Sequence, residues 1–179
     1  MMPARDFLDI GNTVLPAESL VPDDSLTPTL SRGEREQEAC ALDIAALVPH
    51  AGAMVLLDRV EAWDGGAILC RATSHLDPAN PLRRAGRLAA CCGLEYAMQA
   101  AALHGALRGG GAQPAGYAAA LRGVLLHADR LDDPALGDLR IEARLERQEA
   151  AGLIYALDVT AADGTPLVSG RASIALPHA

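Results

Sequence analysis

One apolar segment, residues 88 to 107, limits what this chain can fold into more than any other feature. It is rich in alanine and leucine and is interrupted by Glu95, Gln99 and His104. These polar interruptions argue against a membrane span. A helix that is apolar on nearly all sides must be covered on more than one side. We therefore predict a long buried helix from about Leu88 to Leu107.

Strand patterns flank this segment on both sides. Alternating or apolar runs at residues 54–63 and 67–75 are separated by the turn sequence Asp64-Gly65-Gly66, and further runs occupy residues 139–146, 153–159 and 165–176. Two strands, one long helix and then three or four strands predict an α+β fold. We expect an antiparallel sheet curled around the helix, with a short helix at residues 43–48 before the first strand.

The first 36 residues differ in composition from the rest. They contain four prolines and scattered acids without a sustained periodicity, which is typical of a segment that buries too little apolar surface to become ordered. We therefore divide the chain into a disordered or loosely attached tail, residues 1–42, and one domain, residues 43–179.

Composition excludes several classes of function. The net charge of −8 and an aromatic content of 3% disfavour nucleic-acid binding. The absence of lysine excludes a P-loop lysine and Schiff-base chemistry. The four cysteines show no C-x-x-C spacing and no signal peptide opens the chain, so we expect a cytoplasmic protein. The histidines have no metal-ligand spacing, and we predict no metal site.

Glu95 is the only charged residue between Leu88 and Leu107. A charged side chain is seldom buried without a partner, so this carboxyl group points into a cleft or across an interface, or else reaches solvent at the end of the apolar stripe. Desolvation in a cleft would raise its pKa and make it a proton donor near neutral pH. Gln99, one turn later, lies on the same helix face.

His50 follows Pro49 at the start of the first apolar strand. The proline restricts the local backbone, so the imidazole is held at the entrance to the strand. A neutral imidazole at this place can act as a base. The alternative interpretation is a surface or structural histidine.

Together these motifs resemble a known family. Pro49-His50, the run MVLLDRV at residues 54–60, and Gly93-Leu94-Glu95 with Gln99 on the helix are similar to the 3-hydroxyacyl-[acyl carrier protein] dehydratases of the hotdog fold. The similarity is greatest to the dehydratase-like subunits of aryl polyene biosynthesis, and it extends from about residue 43 to 176.

This resemblance implies a mechanism and a set of partners. His50 would remove the proton beside the thioester carbonyl, and Glu95 would protonate the departing 3-hydroxyl group. Backbone N–H groups at the start of the helix, near Gly93, would polarise the carbonyl, and Gln99 would also bind substrate. The catalytic pair would come from two subunits of a homodimer or a heterodimer with another hotdog protein. No cofactor is implied.

An arginine cluster precedes the helix at Arg83, Arg84 and Arg87. An acyl carrier protein is acidic and carries its substrate on a phosphopantetheine arm, so we expect these arginines to bind it. A solvated loop is the alternative interpretation.

Some positions depart from the family pattern. Residues 51–53 and Ala90 lack the arginine, aromatic, proline and glycine of fatty-acid dehydratases. A non-catalytic hotdog partner subunit therefore remains an alternative function, and an acyl thioesterase is another.

Overall fold

A six-stranded antiparallel sheet and one long helix form the part of the chain that the computed structural model describes, residues 42–112, 117–149 and 152–176. In chain order the elements are α1 (Ile44–Leu47), β1 (Arg59–Trp63), β2 (Ala67–Ala72), α2 (Gly93–Arg108), β3 (Tyr117–Leu126), β4 (Leu139–Glu149), β5 (Gly152–Thr160) and β6 (Pro166–Ala175). The strand order across the sheet is β1-β2-β4-β5-β6-β3, and every neighbouring pair is antiparallel. Short 3-10 turns cover Gly52–Met54, Ser74–Leu76, Ala90–Cys92 and Pro134–Leu136.

Helix α2 packs against β2, β4, β5 and β6, and this contact forms the core. Small side chains such as Ala97, Ala100 and Ala101 are buried on the helix and allow the sheet to approach closely. Inward-facing strand residues, including Ile141 and Leu157, complete the packing. The predicted α+β hotdog arrangement, with a sheet wrapped around a central helix, is confirmed.

The first strand begins later than the sequence predicts, at Arg59 rather than residue 54. The reason is visible at Leu56, whose N–H donates to Gln99 Oε1 at 3.0 Å and whose C=O accepts from Ser74 Oγ at 2.7 Å. Side chains therefore bind the backbone groups that a strand would pair with its neighbour.

The helix also begins later than predicted, at Gly93 rather than Leu88. The carbonyl of Leu88 accepts from Leu131 N at 2.9 Å, and the N–H of Ala90 donates to Asp129 O at 3.1 Å. These bonds tie residues 88–90 to a neighbouring loop and leave them outside the helix.

Other predicted features are confirmed. The short helix lies at Ile44–Leu47, and the hairpin turn is closed by Asp64, whose Oδ1 accepts from the N–H groups of Gly66 and Ala67. The alternation that begins at Leu139 gives a strand with one buried face over its first half. The tail predicted at residues 1–42 lies almost entirely outside the described residues.

A buried polar network fixes α2 to the loop after β2. Tyr96 Oη lies 2.9 Å from Ser74 Oγ and 2.9 Å from Asn80 Nδ2. Further along the helix, His104 Nε2 lies 2.8 Å from the carbonyl of Asp64, so this nitrogen carries the proton and Nδ1 accepts from the Tyr155 hydroxyl. His104 is therefore a structural residue with both ring nitrogens satisfied.

Strand β3 is an edge of the sheet and pairs only with β6 in the described structure. Its apolar residues Tyr117, Leu121, Leu125 and Leu126 are 71%, 45%, 57% and 52% exposed. No helix in the described ranges is both long enough and apolar enough to cross a membrane.

Candidate functional site

His50 and Glu95 meet within one chain. His50 lies between α1 and the 3-10 turn at Gly52–Met54, and Glu95 lies in the first turn of α2. The distance from His50 Nε2 to Glu95 Oε1 is 3.0 Å, and the two side chains are 27% and 33% exposed. This contact lies within one chain, whereas the resemblance implies a pair drawn from two subunits. The segment after His50 packs on the chain's own helix, which brings the two groups together.

The loop that carries His50 is held on both sides. Ile44 and Val48 of the preceding segment are buried in the core, and the N–H of Val48 donates to Ile44 O at 3.0 Å. After His50, Gly52 has a φ of +59°, a conformation that residues other than glycine seldom adopt, and the 3-10 turn begins at this residue. The imidazole is thus placed by the backbone on either side of it.

Gln99 connects this loop to the helix. Its Nε2 donates to the carbonyl of Met54 at 2.7 Å and to Glu95 Oε1 at 3.2 Å, while its Oε1 accepts from the N–H of Leu56 at 3.0 Å. The side chain is fully buried. Because both amide hydrogens are already used, Gln99 does not offer the substrate contact that the sequence predicts. It contacts Glu95 instead.

The second ring nitrogen of His50 is unusual. Nδ1 is buried and has no hydrogen-bond partner among the described residues. The pair must share at least one proton across the contact of Nε2 with Oε1, since two lone pairs would repel each other at 3.0 Å. The proton lies either on the imidazole or on the carboxyl group. Transfer of a proton between two such groups is the chemistry that general acid–base catalysis needs.

Gly93 has a packing role. A Cβ atom at this position would lie 2.8 Å from Val168 Cγ2 and 3.5 Å from Leu131 Cδ1, so only glycine lets α2 approach β6 this closely. Gly93 is buried, and its N–H group donates to Ala90 O. The sequence prediction of a substrate contact at Gly93 is not supported by this placement.

Two amides just before the helix are also occupied. Ala90 N donates to Asp129 O, and Cys92 N donates to Ala89 O at 3.0 Å. These bonds leave those two N–H groups unavailable to polarise a thioester carbonyl in this conformation.

Arg83 is a structural residue. Its guanidinium makes four hydrogen bonds, to the carbonyls of Asp77, Gly86 and His75 and to Asp132 Oδ2 at 3.0 Å. Nearly all of its N–H groups are therefore used, and we no longer expect it to bind a carrier protein.

Asp132 binds both Arg83 and Arg130, and the sequence analysis did not identify it. Its carboxylate is almost fully buried and also accepts two hydrogen bonds from Arg130. Those bonds above all hold the pKa of Asp132 well below its usual range. The neighbouring Arg130 does not by itself mark it as buried, and its other partner, Arg83, is 49 residues away in the sequence.

Arg84 and Arg87 remain exposed at a tight turn. Each donates its backbone N–H to the carbonyl of the other, at 2.9 and 3.0 Å. Between them, Ala85 and Gly86 have φ angles of 50° and 74°. Among the described residues the two side chains donate hydrogen bonds only to backbone carbonyls and form no ion pair, so their charges stay available to an anionic partner.

Two further observations concern the chemistry of the site. The described residues contain no group of three or more histidine, cysteine, aspartate or glutamate side chains that could hold a metal ion. Cys70, Cys91 and Cys92 are free thiols.

Comparison with solved structures supports the fold. The dehydratase heterocomplex ApeI:P from Xenorhabdus doucetiae matches with a TM-score of 0.65 at 21% identity, over 77% of this chain and 93% of that chain. AziG from S. sahachiroi matches with a TM-score of 0.51 at 17% identity, over 68% and 92% of the two chains. A bifunctional dehydratase-cyclase domain in ambruticin biosynthesis matches with a TM-score of 0.52 at 18% identity, over 74% and 47%.

A search of curated proteins finds no match. A family model described as ApeP dehydratase, of the ApeP-like family, matches residues 42–179, which is more than half of the chain. The chain therefore belongs to the ApeP-like dehydratase family.

Proposed function

We propose that this protein removes water from 3-hydroxyacyl thioesters on an acyl carrier protein and yields trans-2-enoyl thioesters. The observation that carries this proposal is the 3.0 Å contact between His50 Nε2 and Glu95 Oε1 in a partly exposed site. The hydrogen and the hydroxyl group that leave are on adjacent carbons. A base and an acid this close together can serve both positions of one substrate.

The proton transfers in this scheme balance. His50 takes the proton from the carbon beside the thioester carbonyl, and the electron pair of that C–H bond forms the new double bond. Glu95 gives its proton to the departing hydroxyl group, which leaves as water. The pair is then an imidazolium and a carboxylate, and a proton passes from Nε2 back to Oε1 across their contact. Both groups return to their starting states without a co-reactant.

Arg84 and Arg87 support a carrier-protein partner. They are exposed next to the start of α2, the helix that carries Glu95. Exposed guanidinium groups attract an acidic protein and its phosphodiester arm even though the chain as a whole has a charge of −8.

A hotdog partner subunit is supported by the edge strand β3. One backbone edge of β3 has no partner strand among the described residues, and its apolar side chains are exposed, which is typical of a strand that pairs with another chain. The matched ApeI:P structure is itself a heterocomplex. We therefore propose a dimer with another hotdog protein through β3. The free thiols are also consistent with the cytoplasm as the location.

A second candidate function is that of a subunit that is inactive until its partner is bound. The occupied amides of Ala90, Cys92 and Gly93 favour it, because the described chain then lacks these groups for polarising the thioester carbonyl. In that case the partner supplies the missing donors.

The test is an enoyl-forming assay on purified protein, alone and with a candidate hotdog partner. The substrate is a short 3-hydroxyacyl thioester, and the new conjugated double bond is followed by absorbance. His50→Ala and Glu95→Gln should each lower kcat by about 10²-fold or more. Glu149→Gln, at an exposed position at the end of β4, is the matched control for Glu95→Gln and should retain activity.

The outcomes separate the candidates. Activity of the chain alone, lost in both site variants, supports the enzyme. Activity only after a partner is added, and lost in both variants, supports the partner-dependent subunit. Activity that survives both substitutions refutes the roles of His50 and Glu95, and release of the free acid in place of the enoyl thioester identifies a thioesterase.

A further inference from the structure

We propose that the 3-10 turn Ser74–Leu76 opens when the buried ring of His75 takes up a proton, and that this opening loosens the backbone that follows His50. Hydrogen bonds connect the turn to helix α2 and to the loop before that helix. Acid would thus act on the fold beside the site, whether or not the chain carries out the proposed dehydration.

His75 is a buried polar side chain without a partner. Its relative exposure is 0%, and neither ring nitrogen has a hydrogen-bond partner among the described residues. A buried polar group without a hydrogen bond is costly, and a buried charge without a partner is far more costly. The closed fold therefore holds the ring in its neutral form, and a protonated ring is stabilised only where water reaches it.

The charged groups that act on the ring do not offset its burial. Burial lowers the pKa of His75 below its ordinary value, and Arg83, whose Nη2 donates to the His75 carbonyl at 3.0 Å, acts in the same direction. The nearby peptide group of Gly137, the carboxylate of Asp138 before β4 and that of Asp58 before β1 raise the pKa by less. Both carboxylates already accept hydrogen bonds from other groups.

Hydrogen bonds pass from this turn to the segment that follows His50. Ser74 Oγ donates to the carbonyl of Leu56 at 2.7 Å and lies 2.9 Å from Tyr96 Oη on α2. Ser74 is adjacent to His75 in the same short turn. A turn that opens to admit water to the ring must move Ser74, so the bonds that fix Leu56 are weakened as well.

The pH range of the effect follows from the direction of the shift. An unfolded histidine takes up its proton near a pKa of about 6.5, whereas burial lowers the pKa of the folded His75 below that value. Between these two values the open state binds more protons than the closed state. The stability of the closed turn is therefore fully present above about pH 6.5 and falls on acidification, by at most about tenfold in the closing equilibrium per pH unit.

The test measures backbone hydrogen exchange by mass spectrometry in wild type and in His75→Leu, at about pH 7.5 and about pH 5.5. Leucine has a similar volume and does not titrate. The ratio of wild-type to variant exchange rates should rise about three- to tenfold on acidification in residues 54–58 and 73–77. The chemical effect of pH on exchange and the titration of the other histidines cancel in this ratio. His127→Leu, at an exposed histidine, is the matched control, and its ratio should not change with pH.

Urea separates a local opening from unfolding of the whole domain. Low concentrations of urea accelerate exchange according to the surface that an opening exposes, so they act strongly on global unfolding and weakly on the opening of one turn. The acid-dependent exchange of residues 54–58 should therefore respond less to urea than the exchange of β5, which lies between two neighbouring strands.

The outcomes are distinct. A ratio that stays flat on acidification overturns the role of His75, and a rise with the same urea dependence as β5 overturns the local opening. If His75→Leu does not fold, His75→Gln, which is polar but does not titrate, takes its place. If that variant also fails, wild type decides, and acid-dependent exchange that is insensitive to urea supports the proposal. None of these measurements uses activity, so failure of the dehydratase proposal is seen separately in the enoyl-forming assay.

Discussion

Replacing Gly93 with alanine should destabilise the protein, although alanine is the better helix former. The new methyl group would lie 2.8 Å from Val168 Cγ2, and Val168 is buried on a strand between two neighbours. Forcing an extra carbon into a packed core costs about 1–3 kcal/mol. The gain in helix propensity is about 1 kcal/mol at most. We therefore expect a net loss of about 1 kcal/mol in the free energy of unfolding.

Gly105 offers a matched control in the same helix. A Cβ atom there meets nothing within 4 Å, so Gly105→Ala should stabilise the protein by about 0.5–1 kcal/mol. The two alanine substitutions thus have opposite predicted signs. Urea denaturation followed by far-ultraviolet circular dichroism measures both free energies on one protein.

A double mutant tests the cause of the effect. In a Val168→Ala background the crowded methyl group is absent, so Gly93→Ala should become neutral or stabilising. The expected coupling between the two positions is about 1–2 kcal/mol. If Gly93→Ala stabilises the wild-type protein as Gly105→Ala does, or if its cost is unchanged in the Val168→Ala background, the packing role of Gly93 is refuted.

Three further predictions concern the loop between β2 and α2 and its contact with Asp132. Asp132→Asn should cost about 3 kcal/mol in thermal or urea unfolding, because it leaves two arginines without their carboxylate. Since the pKa of Asp132 is lowered in the folded state, its contribution to stability is fully present above the unfolded pKa of about 3.9. This contribution is lost as the pH falls toward the folded pKa. Unfolding midpoints measured over a pH series should therefore fall more steeply at acidic pH in wild type than in the variant. Ala85→Asn should stabilise by about 0.5 kcal/mol in the same unfolding assay, since Ala85 has a φ of 50° before a glycine with positive φ and asparagine tolerates that region better. Replacing Arg84 and Arg87 with alanine should raise KM about tenfold for a carrier-protein substrate at low salt, with little change in KM for a small thioester. Equal effects on both substrates, or the same effect from Arg147→Ala, would contradict a role of Arg84 and Arg87 in docking the carrier protein.

The order of elements was predictable from the sequence because period-two alternation and one uniformly apolar helix leave few arrangements. The element starts were not. Leu56 fits the pattern of a strand and Leu88 fits the pattern of a helix. Their backbone groups, however, are bound by side chains and loops that are distant in the sequence. Such tertiary bonds leave no local pattern.

The site was predictable in part. His50 and Glu95 stood out because each is a titratable group in an apolar context, and the structure brings them together. The contacts with substrate or carrier protein expected of Arg83, Gly93 and Gln99 remain predictions, because the sequence shows residue type but not which partners are already engaged. Arg83 and Gln99 donate their hydrogen bonds to groups inside the fold. Gly93 is required because a side chain at its position would clash with Val168.

The contact of His50 with Glu95 inside one chain has a consequence for subunit complementation. When two subunits share an active site, mixing a variant that lacks the base with one that lacks the acid restores some intact sites. Under the proposed roles, a mixture of His50→Ala and Glu95→Gln chains would contain no chain with an intact acid–base pair, and activity would not return. Under the same roles, the acid–base pair by itself sets no requirement on the identity of the partner subunit.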